Sequence, residues 1–186
     1  QAMVRIGVDA GRGVTALVTD MDEPLGSHIG NALEVKEAVD VLAGRVQGPL
    51  LDVSLELGAQ MLIAAGAADN PLKAKQMLDE KLASGQGLAK LREMIAAQDG
   101  DPNVCDDTAL LPQAKIVADI RTDITGYIHT MDTTRLGYLA QRMGAGRIRK
   151  SDTIDPAVGF VLRRRIGDAV MKGDVLATVH ADKQEH

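Results

Sequence analysis

The spacing of hydrophobic residues changes near the middle of the chain. Between Asn31 and Gly100, apolar residues recur at the three- and four-residue intervals of amphipathic helices. Glu34 follows Asn31 at the spacing of a capping box, so we expect Asn31 to cap the first helix. The pattern predicts four helices, which start near Asn31, Pro49, Asn70-Pro71 and Leu88 and stop near Gly44, Gly66, Gly85 and Gly100.

A short apolar run precedes these helices. Val14 to Val18 has no polar alternation and is followed by Thr19 and Asp20, which is typical of a strand buried on both faces of a parallel sheet. Gln1 to Val8 also has a strand-like sequence and opens without a leader segment. We therefore expect the chain to begin inside an element of a longer protein.

The second half of the chain has an alternating pattern. A Gly- and Pro-containing stretch, Asp99 to Gln113, predicts a linker. One helix is expected after it, capped by Thr133 or Thr134 and ended by Gly144. Strands are expected at Lys115 to Ile120, Gly126 to Met131, Val158 to Leu162 and Val175 to Val179. The fold class is thus mixed α/β, with a largely helical part over residues 1–105 and a β-rich lobe over residues 106–186.

Composition excludes several classes of protein. The 186 residues carry a net charge of −5 and only 2% aromatic residues, which argues against nucleic acid as a partner. The basic run Arg163 to Arg165 is the local exception, and we interpret it as the solvated face of an edge strand. No apolar stretch approaches the roughly 18 residues of a membrane-spanning helix. The single cysteine, Cys105, fits a reducing compartment and predicts a cytoplasmic protein.

The most informative stretch runs from Thr19 to Ala38 and reads TDMDEPLGSHIGNALEVKEA. It predicts a strand end, a flexible loop, and a helix that carries Glu34 and Glu37 in its first turns. Loop carbonyls that face a carboxylate form a suitable cage for a hard cation, although Glu in this position usually only complements the helix dipole.

This stretch resembles a segment of the pyrimidine nucleoside and thymidine phosphorylase family. Three further stretches are similar to the C-terminal lobe of that family, in the same order: MDTTRLGYLAQRMGAGR, SDTIDPAVGF and GDAVMKGDVLATVHA. The resemblance implies that residues 1–105 are the C-terminal part of the central α/β phosphorylase domain, and that residues 106–186 are the family's hammerhead domain.

The resemblance also implies a cation site. In the family, two backbone carbonyls and one carboxylate help to hold a monovalent cation, usually potassium; here they correspond to Leu25, His28 and Glu37. The full-length enzyme would use inorganic phosphate as co-substrate to cleave a pyrimidine nucleoside, and would be a homodimer. The family's phosphate loop and base-binding residues have no counterpart in this sequence. We therefore expect the catalytic and substrate-binding residues upstream, and expect this chain alone to be inactive.

Two alternatives remain open. A non-enzymatic hammerhead carrier or interaction module would share the strand pattern, and Met171-Lys172 is similar to the modified Met-Lys of biotin carriers, although at a different place in the strand order. A phosphoribosyltransferase of the anthranilate type would share the central fold, but not the lobe that Met131 to Ala181 resembles.

Overall fold

Helices and strands mix along the chain, as expected, in a computed structural model that describes residues 1–183. The helices are α1 (Ala2–Asp9), α2 (Asn31–Leu42), α3 (Pro49–Ala64), α4 (Pro71–Ala83), α5 (Gln86–Ala97) and α6 (Thr133–Ala140). The strands are β1 (His28–Ile29), β2 (Ile116–Arg121), β3 (Gly126–Tyr127), β4 (Gly159–Leu162), β5 (Ala169–Val170) and β6 (Val175–Ala181). Short 3₁₀ turns lie at Pro102–Cys105 and Thr108–Leu110, and a π-helical turn at Gln141–Ala145 follows α6.

The four predicted helices from Asn31 to Ala97 are confirmed as α2 to α5. Proline begins both α3 and α4, where its missing amide hydrogen leaves no hydrogen bond unmade. The side chain of Asn70 caps α4 by accepting a hydrogen bond from the Lys73 amide. Cys105 is buried beside Val39 and Val104, so the segment that was predicted as a linker packs onto the helices.

Four strands form one antiparallel sheet in the order β1-β4-β6-β2. One face of this sheet packs against α6 and the π-helical turn, where Met143 and Phe160 are part of a buried apolar cluster. Strand β1 comes from the first half of the chain and pairs with β4 of the second half, with His28 opposite Val161. The division of the chain between residues 105 and 106 stays a prediction.

Two turns that flank β5 have the same hydrogen-bond pattern. They span residues 165–168 and 171–174, and in each the amide of the fourth residue donates a hydrogen bond to the carbonyl of the first. The third residue is a glycine with positive φ, 93° at Gly167 and 95° at Gly173, as a type II turn requires. The Asp in fourth position also accepts a hydrogen bond from the amide of the first residue, at 2.8 Å in one turn and 3.1 Å in the other. The Gly-Asp pattern of the sequence is therefore a turn signal.

The two predictions for the N-terminal residues are wrong. Residues 2–9 form helix α1 instead of a strand, and Val14 to Val18 has no regular secondary structure and is exposed. A strand of a parallel sheet forms only when neighbouring strands accept and donate its backbone hydrogen bonds. The part of the chain that the structure describes places no strand beside Val14 to Val18, so the apolar run remains unpaired.

Two smaller predictions also need correction. The cap of α6 is Asp132, whose carboxylate accepts a hydrogen bond from the Arg135 amide, and not Thr133 or Thr134. The strand expected from Gly126 to Met131 ends at Tyr127, because its partner β5 is only two residues long.

Candidate functional site

Glu37 binds the backbone of the loop that precedes α2. Its side chain is buried, and its carboxylate accepts hydrogen bonds from the Ser27 amide at 2.7 Å and the His28 amide at 3.1 Å. Gly26 passes so close that a Cβ built on it would lie 2.3 Å from Oε2 of Glu37. The carboxylate therefore restrains the loop, and a side chain at position 26 would require the Glu37 carboxylate to move.

The Leu25 carbonyl lies in the same loop but has a protein partner. It accepts a hydrogen bond of 2.9 Å from the guanidinium of Arg165. A carbonyl oxygen has two lone pairs, so this bond leaves one free for another donor or a cation.

The polar backbone groups of His28 face away from β4. In the antiparallel pair, the Leu162 amide donates to the Ser27 carbonyl, and successive residues of a strand face opposite sides. The His28 amide accordingly points to Glu37, and its carbonyl lies on the same side of the strand. The ring is not placed as a ligand: its Nδ1 lies 3.5 Å from Oε1 of Glu37 and makes no hydrogen bond within residues 1–183.

The start of α2 differs from the expectation. The N-cap residue is Gly30, and the side chain of Glu34 accepts a hydrogen bond from the Gly30 amide at 3.1 Å. Asn31 is the first residue of the helix, and its side-chain amide donates to the Ala145 carbonyl at 3.0 Å. Asn31 therefore joins α2 to the π-helical turn instead of capping the helix.

The basic run Arg163 to Arg165 was misinterpreted as the solvated face of an edge strand. It follows β4, which is an inner strand of the sheet, and each guanidinium has a specific acceptor. Arg163 donates to the Thr178 hydroxyl and Arg164 to the carboxylate of Asp174. Arg165 donates to the carboxylate of Glu23 as well as to the loop carbonyls.

Oxygen atoms are the donors that this loop offers to an ion. The Glu37 carboxylate and the Leu25 and His28 carbonyls suit a hard cation, which takes oxygen ligands only. A pocket of about 420 Å³ lies beside them, between residues 24–29, α2 and α6. Within residues 1–183 no group of three or more His, Cys, Asp or Glu side chains could hold a metal ion. The donor set is therefore compatible with part of an oxygen shell for a hard cation, and a monovalent ion at this place stays a prediction.

The other candidate side chains are scattered. Lys172 is exposed at the turn 171–174, and the free Cys105 is buried. His180 lies on β6, where burial lowers the pKa of its ring below 6.5, and the neighbouring charges of Lys36 and Arg163 lower it further. His186 lies outside the described residues. No helix among residues 1–183 has both the length and the apolar character to cross a membrane.

The ion pair between Arg165 and Glu23 was not predicted from the sequence. These side chains are 142 positions apart in the sequence and meet at 2.7 Å in the structure. The Gly167-Asp168 pair could have indicated this, because it predicts a type II turn. Such a turn fixes the backbone of Arg165, its first residue.

Comparison with known proteins finds similarity to pyrimidine-nucleoside phosphorylases along both halves of the chain. Residues 127–186 match the family model described as the pyrimidine nucleoside phosphorylase C-terminal domain. The chain is 41% identical to the pyrimidine-nucleoside phosphorylase of Geobacillus stearothermophilus over 185 residues, which is 100% of this chain and 43% of that relative. It is also 41% identical to the Bacillus subtilis (strain 168) and Staphylococcus aureus (strain USA300) proteins of the same name, over 99% of this chain and 42% of each relative.

The fold is mixed α/β, and residues 127–186 match the C-terminal domain of pyrimidine nucleoside phosphorylases. The chain belongs to the pyrimidine-nucleoside phosphorylase family and matches its C-terminal part. It spans about 43% of the length of the Geobacillus relative.

Proposed function

We propose that this chain acts as part of a pyrimidine nucleoside phosphorylase. In that reaction inorganic phosphate attacks the anomeric carbon of thymidine or uridine, and the products are the free base and a (deoxy)ribose 1-phosphate. The observation that carries the proposal is the 41% identity over the entire chain to pyrimidine-nucleoside phosphorylases. The catalytic and substrate-binding residues belong, in this proposal, to parts of the protein other than this chain.

The contribution of this chain would be structural support for the phosphate site. Glu37, together with the Leu25 and His28 carbonyls, would hold part of the shell of a potassium ion, and the rest of the shell would come from outside this chain. The bound ion would supply a positive charge that braces the loop, and it would not act as a Lewis acid at the reacting carbon. The buried Glu37 carboxylate supports this, since such a charge is stable only when it is well paired.

The exposed N-terminal residues support a place within a larger domain. Val18 is 95% exposed and Met21 is 81% exposed, and neighbouring apolar side chains are also accessible. Large apolar groups exposed together usually mark a surface that another element covers. We propose that Val14 to Val18 becomes a strand of the phosphorylase sheet in the whole enzyme. That enzyme would be a cytoplasmic homodimer that assembles through elements outside this chain.

A hybrid protein tests the proposal. In it, this chain replaces the aligned 43% of the Geobacillus stearothermophilus relative, and release of the free base from uridine or thymidine is followed by absorbance. We expect the hybrid to release base in a phosphate-dependent reaction, and the chain alone to release none. A folded hybrid without activity would contradict the proposed function. Turnover by the chain alone at about 1 per second or more would show that the catalytic residues lie within it.

A further inference from the structure

Arg165 holds the loop that carries Leu25 through several hydrogen bonds at once. Its Nη1 donates to the Glu23 carboxylate at 2.7 Å and to the Pro24 carbonyl at 2.9 Å, and its Nη2 donates to the Leu25 carbonyl at 2.9 Å. The amide of Ile166 donates to the second oxygen of Glu23 at 3.1 Å. One side chain and its neighbouring amide therefore restrain three consecutive residues of the loop.

Arg165 is itself fixed by its position at the start of a type II turn. The Arg165 amide donates to the Asp168 carboxylate at 2.8 Å, and the Asp168 amide returns a hydrogen bond to the Arg165 carbonyl at 3.0 Å. Gly167 supplies the positive φ that this turn requires. The turn thus fixes the backbone of Arg165 independently of the loop. This lowers the conformational entropy that is lost when the Arg165 side chain binds the loop.

The contact is partly shielded from water. The side chains of Arg165 and Glu23 are 20% and 23% exposed, so solvent screens their attraction less than at an open surface. Hydrogen bonds between ionised groups are about twice as strong as neutral ones, and the flat guanidinium fixes the direction of its acceptors. The part-buried bonds to Glu23 and Pro24 therefore restrain the loop, and the more exposed bond to Leu25 adds a directional restraint on its carbonyl.

The same short loop is held from its other end by Glu37. Gly26 separates Leu25, which Arg165 binds, from Ser27, whose amide Glu37 binds. The Leu25 carbonyl lies at one anchor and the Glu37 carboxylate at the other. The distance between the two oxygen donors thus depends on both anchors.

We propose that Arg165 is a positioning residue for the cation loop: it orients the Leu25 carbonyl relative to the Glu37 carboxylate, and so connects the C-terminal lobe to the cation site. This inference rests on the proposed function for its biological meaning. The restraint itself is a property of the chain that can be measured without any ion. Arg165 acts through the loop and touches neither substrate nor reacting atoms in this account.

Amide hydrogen exchange of the isolated chain tests this role in three variants. Arg165→Gln removes the charge and the forked donor, Glu23→Gln weakens the same contact from the loop side, and Arg164→Gln is the matched control, because Arg164 pairs with Asp174 instead. In Arg165→Gln and Glu23→Gln we expect the Ser27 and His28 amides to exchange about tenfold faster or more, while amides of α3 and α4 keep their protection. In Arg164→Gln the loop amides should exchange as in the unchanged chain.

The possible outcomes distinguish the positioning role of Arg165 from the proposed phosphorylase function. Faster exchange throughout the chain, or no change at Ser27 and His28, would overturn the positioning role. A new potassium-dependent rise in melting temperature in Arg165→Gln would also overturn it, because Arg165 would then compete with the ion for the Leu25 carbonyl. If the hybrid lacks activity while the local exchange result holds, the proposed function fails and the restraint by Arg165 stands.

Discussion

Gly26 and Glu37 lie in contact, and the space between them leaves no room for a side chain on residue 26. A Cβ on Gly26 would lie 2.3 Å from Oε2 and 3.1 Å from Cδ of Glu37. The carboxylate could relieve this contact only by moving away from the Ser27 and His28 amides, which it binds at 2.7 and 3.1 Å. The position of the loop before α2 therefore depends on the Glu37 side chain of that helix.

Gly26→Ala should destabilise the chain through this contact. A hydrogen bond to a charged group contributes about 1.5–3 kcal/mol, so the loss of one of the two amide bonds to Glu37 should lower the free energy of unfolding by roughly 2 kcal/mol in urea denaturation. Gly13→Ala is the control, because a Cβ on Gly13 would meet no atom within 4 Å. Equal stability of the two variants would show that Glu37 moves without cost.

Gly159→Ala should be more harmful, because two backbone segments meet at that residue. Gly159 has a φ of 153°, and a Cβ on it would lie 1.9 Å from the Ile29 carbonyl oxygen. Strain and overpacking each cost about 1–3 kcal/mol, so we expect a loss of roughly 3 kcal/mol or more, or failure to fold. Gly126→Ala, with nothing within 4 Å of its Cβ, should cost far less. Similar losses in both variants, measured by urea denaturation, would contradict the close approach of β1 and β4.

His180 should make the chain less stable in mild acid. Its pKa is lowered from 6.5, first by burial and then by the charges of Lys36 and Arg163 and by His28. The unfolded chain therefore binds the proton more tightly than the folded chain. The stability contributed by neutral His180 is present above pH 6.5 and is lost as the pH falls through the lower pKa of the folded state.

His180→Gln should reduce this acid sensitivity. Free energies of unfolding at about pH 7.5 and about pH 5.5 should differ less in the variant than in the unchanged chain. His129→Gln, at an exposed position, is the matched control and should keep the original difference. An unchanged pH dependence in His180→Gln would mean that burial of this ring does not affect stability.

The elements that were predicted well are those whose signals are local. The helices α2 to α5 begin at Asn31, Pro49, Pro71 and Gln86 and end close to the glycines that the sequence marks. Caps, prolines and glycines act within a few residues, so one sequence is enough to find them. The resemblance singled out Glu37 as a cation ligand, which stays a prediction, and the structure adds that this carboxylate is buried against the loop.

The predictions that failed depend on distant residues. Val14 to Val18 has the sequence of a buried strand, but a strand requires partners that no local pattern reveals. Asn31 has the sequence of a helix cap, yet its side chain binds the Ala145 carbonyl 114 positions away. Arg165 looked like a solvated residue until the fold brought Glu23 to it. Charged side chains find partners through tertiary structure, and sequence spacing does not show which ones.

The central claim is that the loop from Leu25 to Glu37 supplies only part of a cation shell. Potassium binding by the hybrid protein tests this claim most directly. Melting temperatures of the hybrid and of the chain alone are compared in potassium and sodium chloride, each with and without Glu37→Gln. We expect potassium to raise the melting temperature of the hybrid, Glu37→Gln to abolish that rise, and the chain alone to respond in neither form, because a partial oxygen shell does not repay dehydration of the ion. A hybrid that does not distinguish potassium from sodium, or an isolated chain that gains several degrees through Glu37, would contradict the account.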